Sequence, residues 1–248
     1  MVWLRKLIPL LGILILFSCN GEKTTIQVLT ASGLKKAFNP LVEKYQKEHP
    51  KVNVKVIYGG SGNLLALLKE KHGDIFIPAG DYYIKKAEEW NLIEPNSVKV
   101  LTEFVPVLVV KNKFSQRIKS LKDLTKVDIK IGIGDPRAAS VGKVGKLILE
   151  KAGIWNLVKD KISVKTPTVS QLLVYLKTGQ IDGAIIWKHL VKNLKGFKVI
   201  PIQKQYLITE KVEITIAKFS KNKRKAEDFE NFIFQNKEVL EKGIHSNR

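Results

Sequence analysis

The chain has 248 residues and a formal net charge of +20, from 43 lysine and arginine side chains against 23 acidic ones, with a single cysteine. One cysteine excludes an internal disulfide framework and cannot by itself build a zinc site. The positive field favours anions over cations, yet lysines such as Lys35, Lys36, Lys143, Lys146 and Lys151 are dispersed over helix faces without interleaved aromatics, which argues against nucleic acid as a partner.

The chain begins with a short basic segment, Met1 to Lys6, followed by an apolar run from Leu7 to Phe17 that is too short to span a bilayer as an ordinary helix. Together they predict an export signal. The run ends at Leu16-Phe-Ser-Cys19, similar to a bacterial lipobox, so residues 1–19 are predicted to be a signal peptide with Cys19 as the acylated residue of the mature N-terminus. The expected location is the periplasm or cell surface, tethered to a membrane by lipid.

Beyond a short polar tether at 20–25, strand and helix alternate. Strands are predicted at Ile26 to Leu29, Val52 to Ile57 and Ile75 to Ile77, with helices at Leu34 to Glu48, Asn63 to Lys71 and Tyr82 to Trp90. This order predicts an α/β fold with a mainly parallel sheet covered on both faces. Leu101 to Val110 reads as a long apolar strand, but Pro106 inside it argues against a regular central strand and suggests a crossover between lobes. A second set follows, with strands at 129–133, 162–165 and Ile181 to Trp187 and helices at 139–152 and 170–177. Leu207 to Ala217 makes a second crossover and Lys223 to Lys242 the closing helices. The predicted organisation is therefore an interrupted first lobe, 20–104 and 206–248, with a second lobe, 105–205, inserted.

Small hydroxyl or glycine residues recur where strand meets helix, in Thr30-Ala-Ser-Gly33, Gly59-Gly-Ser-Gly62, Ala138-Ala-Ser-Val-Gly142 and Thr166-Pro-Thr-Val-Ser170. Each junction leaves unpaired N–H groups at the positive end of a helix, and four converging on one cleft would form a cage for a small oxyanion. Ser32 and Ser61 are the hydroxyl candidates. At Val141 and Val169 the side chains are inert, so only the backbone N–H can contribute.

Enzymatic parts are missing. Gly59-Gly-Ser-Gly-Asn63 fails the nucleophile-elbow spacing, and His49, His72, His189 and His245 carry neither triad context nor metal-ligand spacing. Gly132-Ile-Gly134 lacks the rest of a dinucleotide fingerprint. Tyr82-Tyr83 could suggest a ferric site built on phenolates, but adjacent helical residues point in different directions and the net charge disfavours Fe(III).

Several of these segments together resemble the molybdate- or tungstate-binding proteins of ABC importers: Ala31-Ser-Gly-Leu-Lys-Lys-Ala-Phe38, Gly60-Ser-Gly-Asn-Leu64, Gly73-Asp-Ile-Phe-Ile77, Ile133-Gly-Asp-Pro136, Val141-Gly-Lys143 and Ile154-Trp155. The resemblance implies a type II periplasmic-binding-protein fold, two lobes hinged by two crossover strands. It also implies a dehydrated tetrahedral oxyanion held by two serines, backbone amides and a tyrosine. Ser61 matches the second serine, and Val141 and Val169 match the backbone donors. Gly33 stands where the first serine is usual, with Ser32 one residue early, and Trp187 stands where the tyrosine is usual. Its indole donates one hydrogen bond and accepts none.

The function implied is a monomeric solute-binding protein, neither an enzyme nor a cofactor carrier. It would capture molybdate or tungstate between its lobes and deliver it to an inner-membrane ABC permease. Alternatives are another oxyanion such as sulfate or phosphate, or a ferric ion. A donor-only cage suits fully deprotonated molybdate, tungstate and sulfate. The proton on hydrogen phosphate would lack an acceptor, at a cost of about 1 to 3 kcal/mol.

Overall fold

The structure is a computed structural model that describes residues 23–245; Cys19 and the predicted export segment lie outside them. The first sheet contains β1 (Thr24–Ala31), β2 (Val52–Gly59), β3 (Ile75–Ile77) and β4 (Lys99–Phe104), and is completed by β10 (Glu210–Ile216) near the end of the chain, in the order β2-β1-β3-β10-β4. The second contains β5 (Pro106–Lys111), β6 (Ile131–Gly134), β7 (Ile162–Thr166), β8 (Gly183–Trp187) and β9 (Phe197–Pro201), in the order β7-β6-β8-β5-β9. Helices α1 (Lys35–Glu48), α2 (Ser61–Lys69), α3 (Asp81–Glu89), α8 (Lys223–Gln235) and α9 (Lys237–His245) cover the first sheet. Helices α4 (Ser140–Lys151), α5 (Trp155–Val158), α6 (Val169–Lys177) and α7 (Lys188–Val191) accompany the second.

The expected α/β class holds, and each sheet is mixed with four of its five strands in one direction. One strand in each sheet runs against the other four: β10 is antiparallel to β3 and β4, and β5 to β8 and β9. The stretch from Leu101 to Val110 is two strands in two sheets, broken at Val105. Pro106 opens the second of them, a strand position that tolerates a missing N–H.

Parallel pairing in close register places the functional ends. β1 and β2 pair from Thr24 with Val52 to Ala31 with Gly59, so the chain leaves both strands at one level and α2 starts beside the single 3₁₀ turn, Ser32–Leu34, that precedes α1. β6 and β7 likewise end together, Gly134 opposite Thr166, and set the starts of α4 and α6 side by side. These are the carboxyl ends of the parallel strands, where open α/β sheets gather ligands.

The sheets are fixed from behind by apolar helix faces. Ala37, Phe38, Leu41, Val42 and Tyr45 form the buried stripe of α1, and Phe38 and Tyr45 pack on Phe229 of α8 with ring centroids 6.1 and 4.7 Å apart. Burying each large apolar side chain contributes about 1.5–3 kcal/mol.

Candidate functional site

Where the carboxyl ends of the two sheets face each other there is a small cavity. Ala31, Ser32, Gly33, Gly59, Gly60 and Ser61 wall it from one side, and Ala139, Ser140, Val141, Val169 and Trp187 from the other. The centre of a water-sized sphere has about 10 Å³ of free space there, roughly one sphere's worth. The space suits one compact polar solute. No ionisable side chain is among the lining residues.

The five residues singled out in the sequence meet around this one space. Ser32 opens the 3₁₀ turn before α1 and is 7% exposed; its hydroxyl makes no hydrogen bond among the described residues. Ser61 is the first residue of α2, and the N-cap before it is Gly60 in extended geometry. Its hydroxyl is tied to a neighbouring loop rather than to its own helix. The Ala79 N–H donates to Ser61 Oγ at 3.0 Å, and the Ser61 hydroxyl donates to the Ala79 carbonyl at 3.2 Å.

Val141 is the second residue of α4. The Ala139 carbonyl accepts from the amides of Gly142 and Lys143 at 3.0 and 3.2 Å, while the amides of Ser140 and Val141 precede any helical acceptor. Val169 opens α6 behind Thr168, whose side chain accepts from the Gln171 N–H at 3.2 Å, so the amides of Val169 and Ser170 are left in the same state. Trp187 ends β8, is 1% exposed, and packs on Phe104 with ring centroids 5.4 Å apart. Its indole N–H makes no hydrogen bond among the described residues.

Two contributors escape a reading of the sequence. Ser140, buried at 6% exposure beside Val141, lines the cavity with a hydroxyl that has no hydrogen-bond partner among the described residues. The signal was present in Ala138-Ala-Ser-Val-Gly142, since the serine opens its helix as Ser61 does. His189 carried no signal: it follows β8 and reaches across, donating from Nε2 to the Gly33 carbonyl at 3.0 Å and lying over Phe104 at 4.5 Å. Asp135, close in sequence, does not line the cavity. The backbone N–H of Arg137, 2.9 Å away, holds its carboxyl below the usual range, so it is ionised and turned to its own loop.

The two halves are in contact at the site. The Gly62 N–H donates to the Ala138 carbonyl at 2.9 Å, and the Ser170 hydroxyl donates to the Ser32 carbonyl at 3.2 Å. A Cβ on Gly60 would lie 2.2 Å from the Pro167 carbonyl oxygen, and one on Gly62 would lie 2.1 Å from that of Arg137. Only glycine permits this approach.

Residues 26–242 match the bacterial extracellular solute-binding protein family. The chain belongs to that family. A Haemophilus influenzae protein with a provisional assignment as a binding protein is 30% identical over 184 residues, 74% of each chain. The molybdate-binding protein ModA of the same organism is 26% identical over 187 residues, 71% of each. Among solved structures, the substrate-binding domain of a provisionally assigned molybdenum ABC transporter from Clostridium difficile superposes with a TM-score of 0.65 at 25% identity, over 90% of this chain and 98% of that one. As a solute-binding family member with a ModA-like two-sheet fold, the chain is placed with proteins that capture ligands rather than transform them.

Proposed function

We propose that this solute-binding protein captures molybdate or tungstate in the cavity between its sheets and delivers it to an ABC importer. Ser32, Ser61 and the Trp187 indole would donate from side chains, and Val141 and Val169 from the backbone. The supporting observation is the donor set itself. Helix starts from both sheets, with amides that have no helical acceptor, surround a space that no carboxylate enters. Such a set stabilises a fully deprotonated oxyanion through charge-assisted hydrogen bonds and the positive helix ends. At Ser61 the Ala79 N–H fixes the oxygen, leaving the hydroxyl proton able to turn from the Ala79 carbonyl to an incoming anion.

In this reading residues 20–104 with 206–248, and residues 105–205, close as two lobes about β4–β5 and the segment entering β10. Cys19 carries the lipid that keeps the monomer at the membrane, near its permease. Thermal unfolding with molybdate, tungstate, sulfate and phosphate added separately tests the cargo. A ligand at about 1,000 times its dissociation constant adds roughly 4 kcal/mol. Large shifts with molybdate and tungstate support the reading. A shift with sulfate alone would change the cargo, and none with any oxyanion would end it.

A further inference from the structure

Beside the small central cavity lies a larger one, of about 650 Å³, which shares Ser32 and Gly33 with it. Ser170 and His189, which line the larger space, bond to the carbonyls of the shared Ser32 and Gly33. Five lysines line the larger cavity and no acidic residue does. Lys35, Lys36 and Lys242 come from α1 and α9 on the first sheet; Lys177 and Lys192 come from the ends of α6 and α7 beside the second. None of the five enters an ion pair among the described residues. Lys35 lies over the Tyr58 ring, 5.7 Å from its centroid.

Helix dipoles account for only part of this arrangement. Lys177 and Lys192 sit at helix C-termini, where a cation is favoured. Lys35 and Lys36 occupy the first turn of α1, which holds no acidic residue and where the dipole opposes them. Like charges from both sheets therefore face one space, and their repulsion works against the closed arrangement. The volume falls in the range of small-molecule sites, and Leu173, Leu190 and Leu194 give it an apolar part.

We infer that this lysine-lined cavity is a second anion site, which takes a small molecule bearing two or more phosphate groups and thereby favours the closed lobes. Phosphate is indicated because lysine binds it as a point charge without needing a fork, and several such charges on two sides match the high charge density of linked phosphates. A multivalent anion there would neutralise both sides of the seam at once. It would then raise cargo affinity by mass action on closure, and cargo would raise its affinity in return. The inference does not depend on which oxyanion fills the central cavity.

Isothermal titration with sodium pyrophosphate at constant ionic strength, with citrate as the carboxylate comparison, tests it. The wild-type protein should bind one pyrophosphate, and bind citrate more weakly. Combined Lys36→Glu, Lys177→Glu and Lys242→Glu substitutions should weaken pyrophosphate binding at least about tenfold, and the matching glutamine variant, kept in case charge reversal disturbs folding, should weaken it as well. Ser61→Ala should leave it unchanged. Saturating pyrophosphate should raise the affinity for molybdate about fivefold, the lower end of ordinary coupling between sites. Absence of pyrophosphate binding, equal binding by the lysine variants, or its displacement by saturating molybdate would each overturn the site. Equal binding of citrate would overturn the phosphate assignment, and binding without any change in molybdate affinity would overturn the link to closure. If the wild-type protein ignores molybdate but the lysine variants lose pyrophosphate, the cargo reading falls and the second site stands.

Discussion

Trp187 Cδ1 lies 3.4 Å from the point a Cβ on Gly33 would occupy, so the indole of the second sheet would be in van der Waals contact with a side chain at position 33. The two departures from the molybdate-binding pattern that the sequence resembles, glycine for serine and tryptophan for tyrosine, are thus neighbours across the cavity. A Cβ at 33 would also sit 3.2 Å from Phe104. Gly33→Ser alone should therefore crowd the site and weaken oxyanion binding by on the order of 1 kcal/mol, and Trp187→Tyr alone should leave a gap with a similar penalty. Combining them should recover most of the loss, with a favourable interaction energy within about 0.5–3 kcal/mol. Titration of the four proteins closes the cycle, and simple additivity would show that the two positions are independent.

A second test concerns closure. Gly62 lies in the first turn of α2 and touches the opposite side through its amide and through the absence of a side chain. Gly62→Ala should favour the helix by up to about 1 kcal/mol while its methyl group blocks the approach of Arg137. The ligand-free protein should unfold no earlier than wild type, yet bind molybdate at least about tenfold more weakly, a loss of some 1.4 kcal/mol. Small-angle scattering should show compaction on molybdate addition in the wild type only. Equal compaction in the variant would mean that this contact does not limit closure.

Much of this arrangement was legible in the sequence because buried parallel strands and amphipathic helices leave strong periodic signals. The turns at Ser61, Val141 and Val169 announced themselves by residue type. What stayed hidden was non-local. Gly33 and Trp187 are far apart in the chain, and nothing local says that they meet. β9, Phe197–Pro201, was missed because it is a short edge strand with Lys198 inside and Pro201 at its end, features that depress strand signals without preventing edge pairing. The antiparallel crossovers were also unreadable, since strand direction depends on where the chain must go next.

The return crossover predicts a pH response in stability. Glu210, the half-buried first residue of β10, has its pKa pushed up to about 7, chiefly by burial and further by Asp81 of α3 and Glu213 of β10, with Lys143 of α4 partly opposing. Lys143 is itself held across the seam, its Nζ 2.8 Å from the Tyr82 ring centroid. Because the folded pKa is raised above the model-peptide value of about 4.3, the folded state holds the proton more tightly. The resulting stabilisation is fully present below the unfolded pKa and is lost as pH rises through about 7. Thermal midpoints should accordingly fall between pH 5 and 8, roughly the span between those two values. Glu210→Gln should flatten that fall and raise the midpoint above pH 7. An unchanged slope in the variant would assign the dependence to other groups.

Ser61 and Ser140 open their helices from opposite sides of the cavity, yet their hydroxyls differ in what they already do. Ser61 Oγ accepts the Ala79 N–H, so Ser61→Ala should leave that buried amide unpaired, costing about 1–3 kcal/mol of stability, and should weaken oxyanion binding by a comparable amount. Ser140 has no hydrogen-bond partner among the described residues to lose. Ser140→Ala should therefore leave the ligand-free unfolding midpoint within the few tenths of a kcal/mol typical of neutral changes while still weakening molybdate by about 1–2 kcal/mol. Unfolding without ligand and titration with molybdate separate the two effects. Equal molybdate affinity in Ser140→Ala and wild type would remove its hydroxyl from the cage and leave that side of the cavity to backbone amides and the indole.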